Sequence, residues 1–232
     1  MKTIGGSILL LAASVFGLAG CATPKSPPPS AVLNLTGTHP AAEVTLHTVI
    51  ATGGPNTWAP DAPWDEYVLT IINRSAAPFT LESARVFDLL DRSHGSDVDP
   101  QKLSIRSREN WRVYQTARVP VFPKRLELTG TEKALVVPAA ILEIANPVEW
   151  ILLPVGSAIG QERARKTRKE FADRQLTLPL LLQPGQSATG SVFFPMIPGP
   201  RRLELQGLNG GKSVQISIQL TGLSQLHLLA SP

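Results

Sequence analysis

Apolar and polar positions alternate most cleanly near the C-terminus. Leu203 and Leu205 alternate with Glu204 and Gln206, and Val214, Ile216, Ile218 and Leu220 alternate with Gln215, Ser217 and Gln219. A period of two places one set of side chains on each face of a strand, so one face is buried and one is wet. Asn209-Gly210-Gly211 lies between the two runs. Asn-Gly between alternating segments is the strongest short-range signal of a β-hairpin. Further strand signals occur at residues 43–50, 67–72, 79–90, 176–182 and 187–194, separated by Pro-, Gly- and Asn-containing turns. The segment 91–100 reads as a polar loop, with a short helix near residues 107–115. The pattern predicts a mainly β chain of about seven strands in two groups, an Ig-like antiparallel β-sandwich.

Residues 133–175 break this pattern. The first part, to residue 160, is strongly apolar and contains Val148, Trp150, Ile151 and Leu152, yet it also holds Glu143, Glu149, Pro138, Pro147 and Pro154. A charge at a bilayer centre costs roughly 2.5–3.5 kcal/mol even on a mild insertion scale, so a membrane span is disfavoured. Asn146-Pro147-Val148-Glu149 has the cap, N1 proline and N3 glutamate of a helix start. Residues 161–175 then carry Arg163, Arg165, Lys166, Arg168, Lys169 and Arg174 against Glu162, Glu170 and Asp173. The expectation is a helical insertion, apolar first and basic second. Trp150, Arg163, Arg165, Lys166, Arg168 and Lys169 are its candidate interaction residues, set against the simpler reading of helices packed on the sandwich with a solvated charged face.

The N-terminus follows a different logic. Lys2 precedes an apolar run over residues 4–16, which is too short to span a bilayer, and small residues follow it. Leu18-Ala19-Gly20-Cys21 resembles the lipobox of bacterial lipoproteins. That resemblance implies export, cleavage before Cys21, and diacylglyceryl and acyl groups on the new N-terminal cysteine. Cys21 is the chain's single cysteine. The fold therefore has no internal disulfide, and acylation would remove a lone thiol from an oxidising compartment. Two or more acyl chains give stable anchoring, at roughly 0.8 kcal/mol per buried methylene. Ala22, in place of the Asp associated with inner-membrane retention, points to the outer membrane, facing the periplasm or the cell surface. Residues 21–31, with Pro27-Pro28-Pro29, read as an acylated cysteine on an extended tether. The predicted organisation is a signal peptide at 1–20, this tether, and one sandwich domain over 32–232.

Two stretches, residues 67–81 with the Asn73-Arg74-Ser75 turn and residues 182–194 with Pro184-Gly185, resemble the telokin-like, Ig-type domains of bacterial surface lipoproteins. The resemblance implies a fold type and transfers no catalytic residue.

Composition adds limits. Twenty-two basic residues face 18 acidic ones, a formal +4. This mild excess implies no nucleic-acid partner. Gly210-Gly211-Lys212-Ser213 ends like a phosphate loop, but Gln206 stands where the first glycine is required. Neither a Gly-x-Ser-x-Gly elbow nor a His-Glu-x-x-His helix occurs in the sequence. His39, His47, His94 and His227 are scattered singly. The acidic cluster Asp88, Asp91, His94, Asp97 and Asp99 offers weak Ca²⁺ or Zn²⁺ candidates, chiefly Asp91, His94, Asp97 and Asp99, but its spacing matches no EF-hand and a polar turn explains it more simply. The expectation is a non-enzymatic, cofactor-free binding or scaffolding module, held at the membrane by lipid and meeting an envelope protein or glycan. The alternatives are a small-ligand or metal-binding protein using loop 88–99 and, further off, an envelope hydrolase.

Overall fold

The alternating C-terminal runs form β8 (Arg202–Asn209) and β9 (Lys212–Gln219), joined through Asn209 and Lys212. Gly210 and Gly211 both have positive φ, 53° and 80°, as a two-residue hairpin turn of matching twist requires. The computed structural model describes residues 32–52, 57–59, 62–121 and 158–228. The predicted signal peptide, Cys21, the tether and the apolar half of the insertion with Trp150 lie outside the described residues.

Nine strands form two antiparallel sheets among the described residues. The first sheet has the order β1-β2-β3-β7, built from β1 (Val32–His39), β2 (Ala42–Ile50), β3 (Trp64–Asn73) and β7 (Ser187–Pro195). The second has β4 (Phe79–Phe87) beside β8, which pairs β9. Two three-residue strands, β5 (Ser93–Gly95) and β6 (Leu180–Leu182), pair opposite ends of β4. The sheets face each other as a sandwich. Val44, Leu46, Tyr67, Leu69, Ile71 and Phe194 of one meet Phe79, Leu81, Val86, Leu203, Leu205 and Ile216 of the other in one buried cluster. Burying such side chains at roughly 1.5–3 kcal/mol each is the main source of stability.

Helix α1 (Pro100–Thr116) and helix α2 (Ala158–Arg174) lie between β5 and β6 in the chain. The helical insertion exists, but its helices begin at Pro100, well before residue 133. Asp99 sets that start: its carboxylate accepts from the Gln101 N–H at 2.9 Å, with Pro100 in the first turn. The expected helix over 107–115 is therefore the second half of α1. Two strands are shorter than expected. β4 ends at Phe87 because Asp88 turns the chain, and only residues 180–182 of the 176–182 run pair. β1 was not legible as a strand because it is an edge strand: four of its eight residues are exposed, and only Leu33 and Leu35 of it pack as large apolar side chains against the core. Among the described residues no helix is long and apolar enough to cross a membrane.

Candidate functional site: a helical layer held by buried polar anchors

The first sheet is covered on its outer face as well. Trp64 of β3 and Phe193 of β7 point away from the sandwich core and receive Leu103 of α1 and Phe171 of α2 in a second buried cluster. Phe171 stacks on Phe193 with ring centroids 3.9 Å apart and meets Trp64 edge-on at 5.5 Å. Such pairs add roughly 0.5–1.5 kcal/mol beyond their buried area. β3 and β7 are consequently buried on both faces where the helices sit.

Glu66 anchors α2. Its carboxylate is buried and accepts from Trp58 Nε1 at 2.6 Å, Ser191 Oγ at 2.6 Å and Arg174 Nη1 at 3.4 Å. The Arg174 guanidinium also lies 5.4 Å from the Trp58 ring centroid. Partial burial works against the charge on Arg174, but Glu170 and Glu66 outweigh it and hold its pKa above the usual value. A charge taken out of water needs such partners, since an uncompensated one is strongly destabilising.

Asp88 anchors α1. Its Oδ1 accepts from the backbone N–H groups of Leu90 at 2.7 Å and Arg92 at 2.9 Å. Its Oδ2 accepts from His94 Nε2 at 2.8 Å and from the Tyr114 hydroxyl. These partners place the His94 proton on Nε2, leaving Nδ1 to accept from Asn110 Nδ2 at 3.3 Å; Asn110 Oδ1 in turn accepts from Arg92 at 3.4 Å. Tyr114 and Asn110 come from α1, so the chain of hydrogen bonds fastens that helix to the β4–β5 turn. A third anchor joins Asp65 of β3 to the C-terminal segment: His227 Nε2 lies 2.8 and 2.9 Å from its two oxygens, and Trp111 of α1 meets the His227 ring edge-on at 6.1 Å.

The Asp88 anchor makes stability pH-dependent. Burial alone would raise its pKa, but hydrogen bonds from His94, Tyr114, Arg92 and Leu90 outweigh it and lower the carboxyl from 3.8 to about 2. A depressed folded-state pKa contributes stability above the unfolded value and loses it as pH falls through the folded value. On the order of 2 kcal/mol should therefore disappear between pH ~4 and pH ~2. Tyr114 shifts the other way: burial, its hydrogen bond to Asp88 and that charge raise its pKa above 10.0, so its contribution is present below pH 10 and lost above. Denaturant midpoints measured from pH ~2 to ~11 should fall at both ends, and Asp88→Asn should flatten the acid limb; an unchanged acid limb in that variant would contradict the assignment.

The loop residues singled out by sequence are separated in purpose. His94 joins Asp88 as described. Asp91 is exposed, with φ 60°, in the turn that Asp88 organises. Asp97 accepts from the Asp99 N–H at 3.0 Å and lies 3.7 Å from Arg106, and Asp99 caps α1. Among the described residues no group of three or more His, Cys, Asp or Glu side chains is placed to hold a metal ion. Arg165, Lys166, Arg168 and Lys169 are exposed on α2, with Arg165 2.9 Å from Glu162 and Lys169 2.6 Å from Asp173. Arg163 lies in the same helix. Sequence reading missed Asp65, Glu66, Asn110 and Tyr114, and counted Arg174 only among the basic residues of 161–175. The available signal was Asp65-Glu66, adjacent charges opening an otherwise apolar strand.

Comparison with known protein families, with curated proteins and with solved structures finds no match to this chain.

Proposed function

We propose that this chain is a membrane-anchored envelope lipoprotein acting as a non-enzymatic binding or scaffolding module, attached to the outer membrane by lipid on Cys21. The observation that carries the reading is the helical layer. Buried polar anchors and an aromatic stack hold α1 and α2 on the sheet while Lys102, Arg112, Arg165, Lys166, Arg168 and Lys169 are exposed to solvent. A preorganised surface of this kind spares a partner the cost of ordering it.

The buried titratable groups support a binding role over a catalytic one. Asp88, Tyr114, Asp65 and Glu66 are sealed from solvent, and their hydrogen bonds connect one element to another. A general acid or base must instead reach a substrate proton within hydrogen-bond distance. Turnover of an envelope substrate that vanished on changing one of these groups would overturn this part of the reading.

The anchor has its own test. Cys21→Ser is expected to abolish palmitate labelling and to release the protein from the membrane fraction or leave it mislocalised, because the lipid carries the membrane affinity. Unchanged membrane retention of an unlabelled Cys21→Ser protein would refute lipid anchoring.

A further inference from the structure

We infer that the exposed cationic face of α1 and α2 rests on an anionic lipid surface, so that the tethered domain stands on its helical layer with the β-hairpin turns pointing away. This rests on the lipid-anchor reading and adds the orientation and the headgroup chemistry.

Charge distribution is the first argument. By sequence α1 holds Lys102, Arg106, Arg108 and Arg112 against Glu109, a net +3, and α2 holds six basic residues against three acidic ones, also +3. The whole chain is only +4, so everything outside the two helices is net negative. The basic charge is thus concentrated in one layer. Lys102, Arg112, Arg165, Lys166, Arg168 and Lys169 are all exposed. The ion pairs along α2 do not cancel this field, because exposed pairs are weak and the net charge stays positive.

Chain direction is the second. Val32 aligns with Thr48, Thr48 with Val68, and Val68 with Ser191 across the first sheet. The next rows outward hold Ile50, Glu66 and Phe193, where α2 docks. Running back from His39 to Val32, β1 therefore heads for the end that carries the helices. β1 and β3 are two strand spacings apart, about 10 Å. The turns at residues 40–41, 74–78, 183–186 and 210–211 lie at the other end.

These two facts select the ligand. Ten residues lie between Cys21 and Val32, eleven Cα steps from one to the other. They reach at most about 40 Å. An anionic membrane's field decays within roughly 8–10 Å at physiological salt. The pole at the root of the tether is the one brought into that field, and it is the pole bearing the cations. Each basic side chain near such a surface strengthens attachment. An acidic glycan in solution would gain nothing from this coincidence of tether and charge.

The test uses the acylated full-length protein, in which a new cysteine is the one free thiol. Ala172→Cys places a fluorophore on the exposed side of α2, and Lys212→Cys places one on the distal β8–β9 turn. The protein is reconstituted into phosphatidylcholine vesicles with or without ~30% phosphatidylglycerol, each carrying a headgroup-located quencher. Quenching at position 172 should be at least ~5-fold greater on the anionic vesicles and should collapse in ~0.5 M salt, while position 212 stays unquenched. Substituting Arg165, Lys166, Arg168 and Lys169 together by Gln should abolish the difference with an unchanged melting temperature. A floating protein with equal quenching on both vesicles, equal quenching at both positions, or capture by a soluble acidic polysaccharide without lipid-dependent quenching would overturn the orientation alone. Failure to float with either vesicle would overturn the anchor reading and the orientation with it.

Discussion

Asp88→Ala is expected to lower the unfolding free energy by roughly 3–5 kcal/mol, a large fraction of the stability of an ordinary domain. Four donors converge on this one carboxylate: the Leu90 and Arg92 N–H groups, His94 Nε2 and the Tyr114 hydroxyl. Alanine leaves them facing a void from which water is excluded, and each buried unsatisfied group costs about 1–3 kcal/mol. Their losses are not additive, since the turn can relax, which keeps the sum below the arithmetic maximum. Asn should retain part of the network, because its carbonyl accepts but its amide meets the Tyr114 donor badly. Asp91→Asn is the control: Asp91 is exposed and left-handed in backbone, a conformation asparagine tolerates, so stability should stay within about 0.5 kcal/mol. Urea denaturation of the three variants measures the ranking. An Asp88→Ala loss no larger than that of Asp91→Asn would remove the anchor from the account.

Phe193→Ala should cost a comparable amount, roughly 3–5 kcal/mol. Its ring is buried on the outer face of β7, stacked 3.9 Å from Phe171 and clustered with Trp64 and Leu103. Deleting it opens a cavity beneath both helices, and α2 is left with the Phe171–Trp64 edge contact and Arg174 on Glu66 and Trp58. The loss should be spatially uneven. Limited proteolysis should cut within residues 158–174 while β8 and β9 still protect their amides, because those strands pack on the opposite sheet. Phe194→Ala provides the contrast. That ring faces the sandwich core and meets Tyr67 edge-on at 4.9 Å, so its removal should weaken the whole domain at once. Identical cleavage patterns in the two variants would show that the helical layer does not depend on Phe193.

The hairpin at Asn209-Gly210-Gly211 was legible because its information is local: an alternating pattern and a turn that needs two positive φ values. The basic character of residues 161–175 was legible for the same reason, since charge is carried by the residues themselves. The start of α1 was not read, although Asp99-Pro100 is a helix-start signature, because an acidic cluster draws attention to cation binding. The pairing of Asp88 with Tyr114 spans 26 residues, and that of Glu66 with Ser191 spans 125. No local rule joins such positions. A polar residue in an apolar strand signals only that a partner exists somewhere.

By itself, the sequence determined the mainly β architecture, the helical interruption, the lone cysteine and the concentration of positive charge after residue 160. Each of these is a property of composition, period or short-range spacing, which chain folding does not alter. Tertiary structure decided that both helices share one face of the first sheet, that Asp65, Glu66 and Asp88 are spent on holding them and the C-terminal segment there, and that β1 runs back toward the same end as the cations. Those facts depend on strand order and register, and these follow from how the apolar faces of distant segments are buried together, a collective choice that no window along the chain contains.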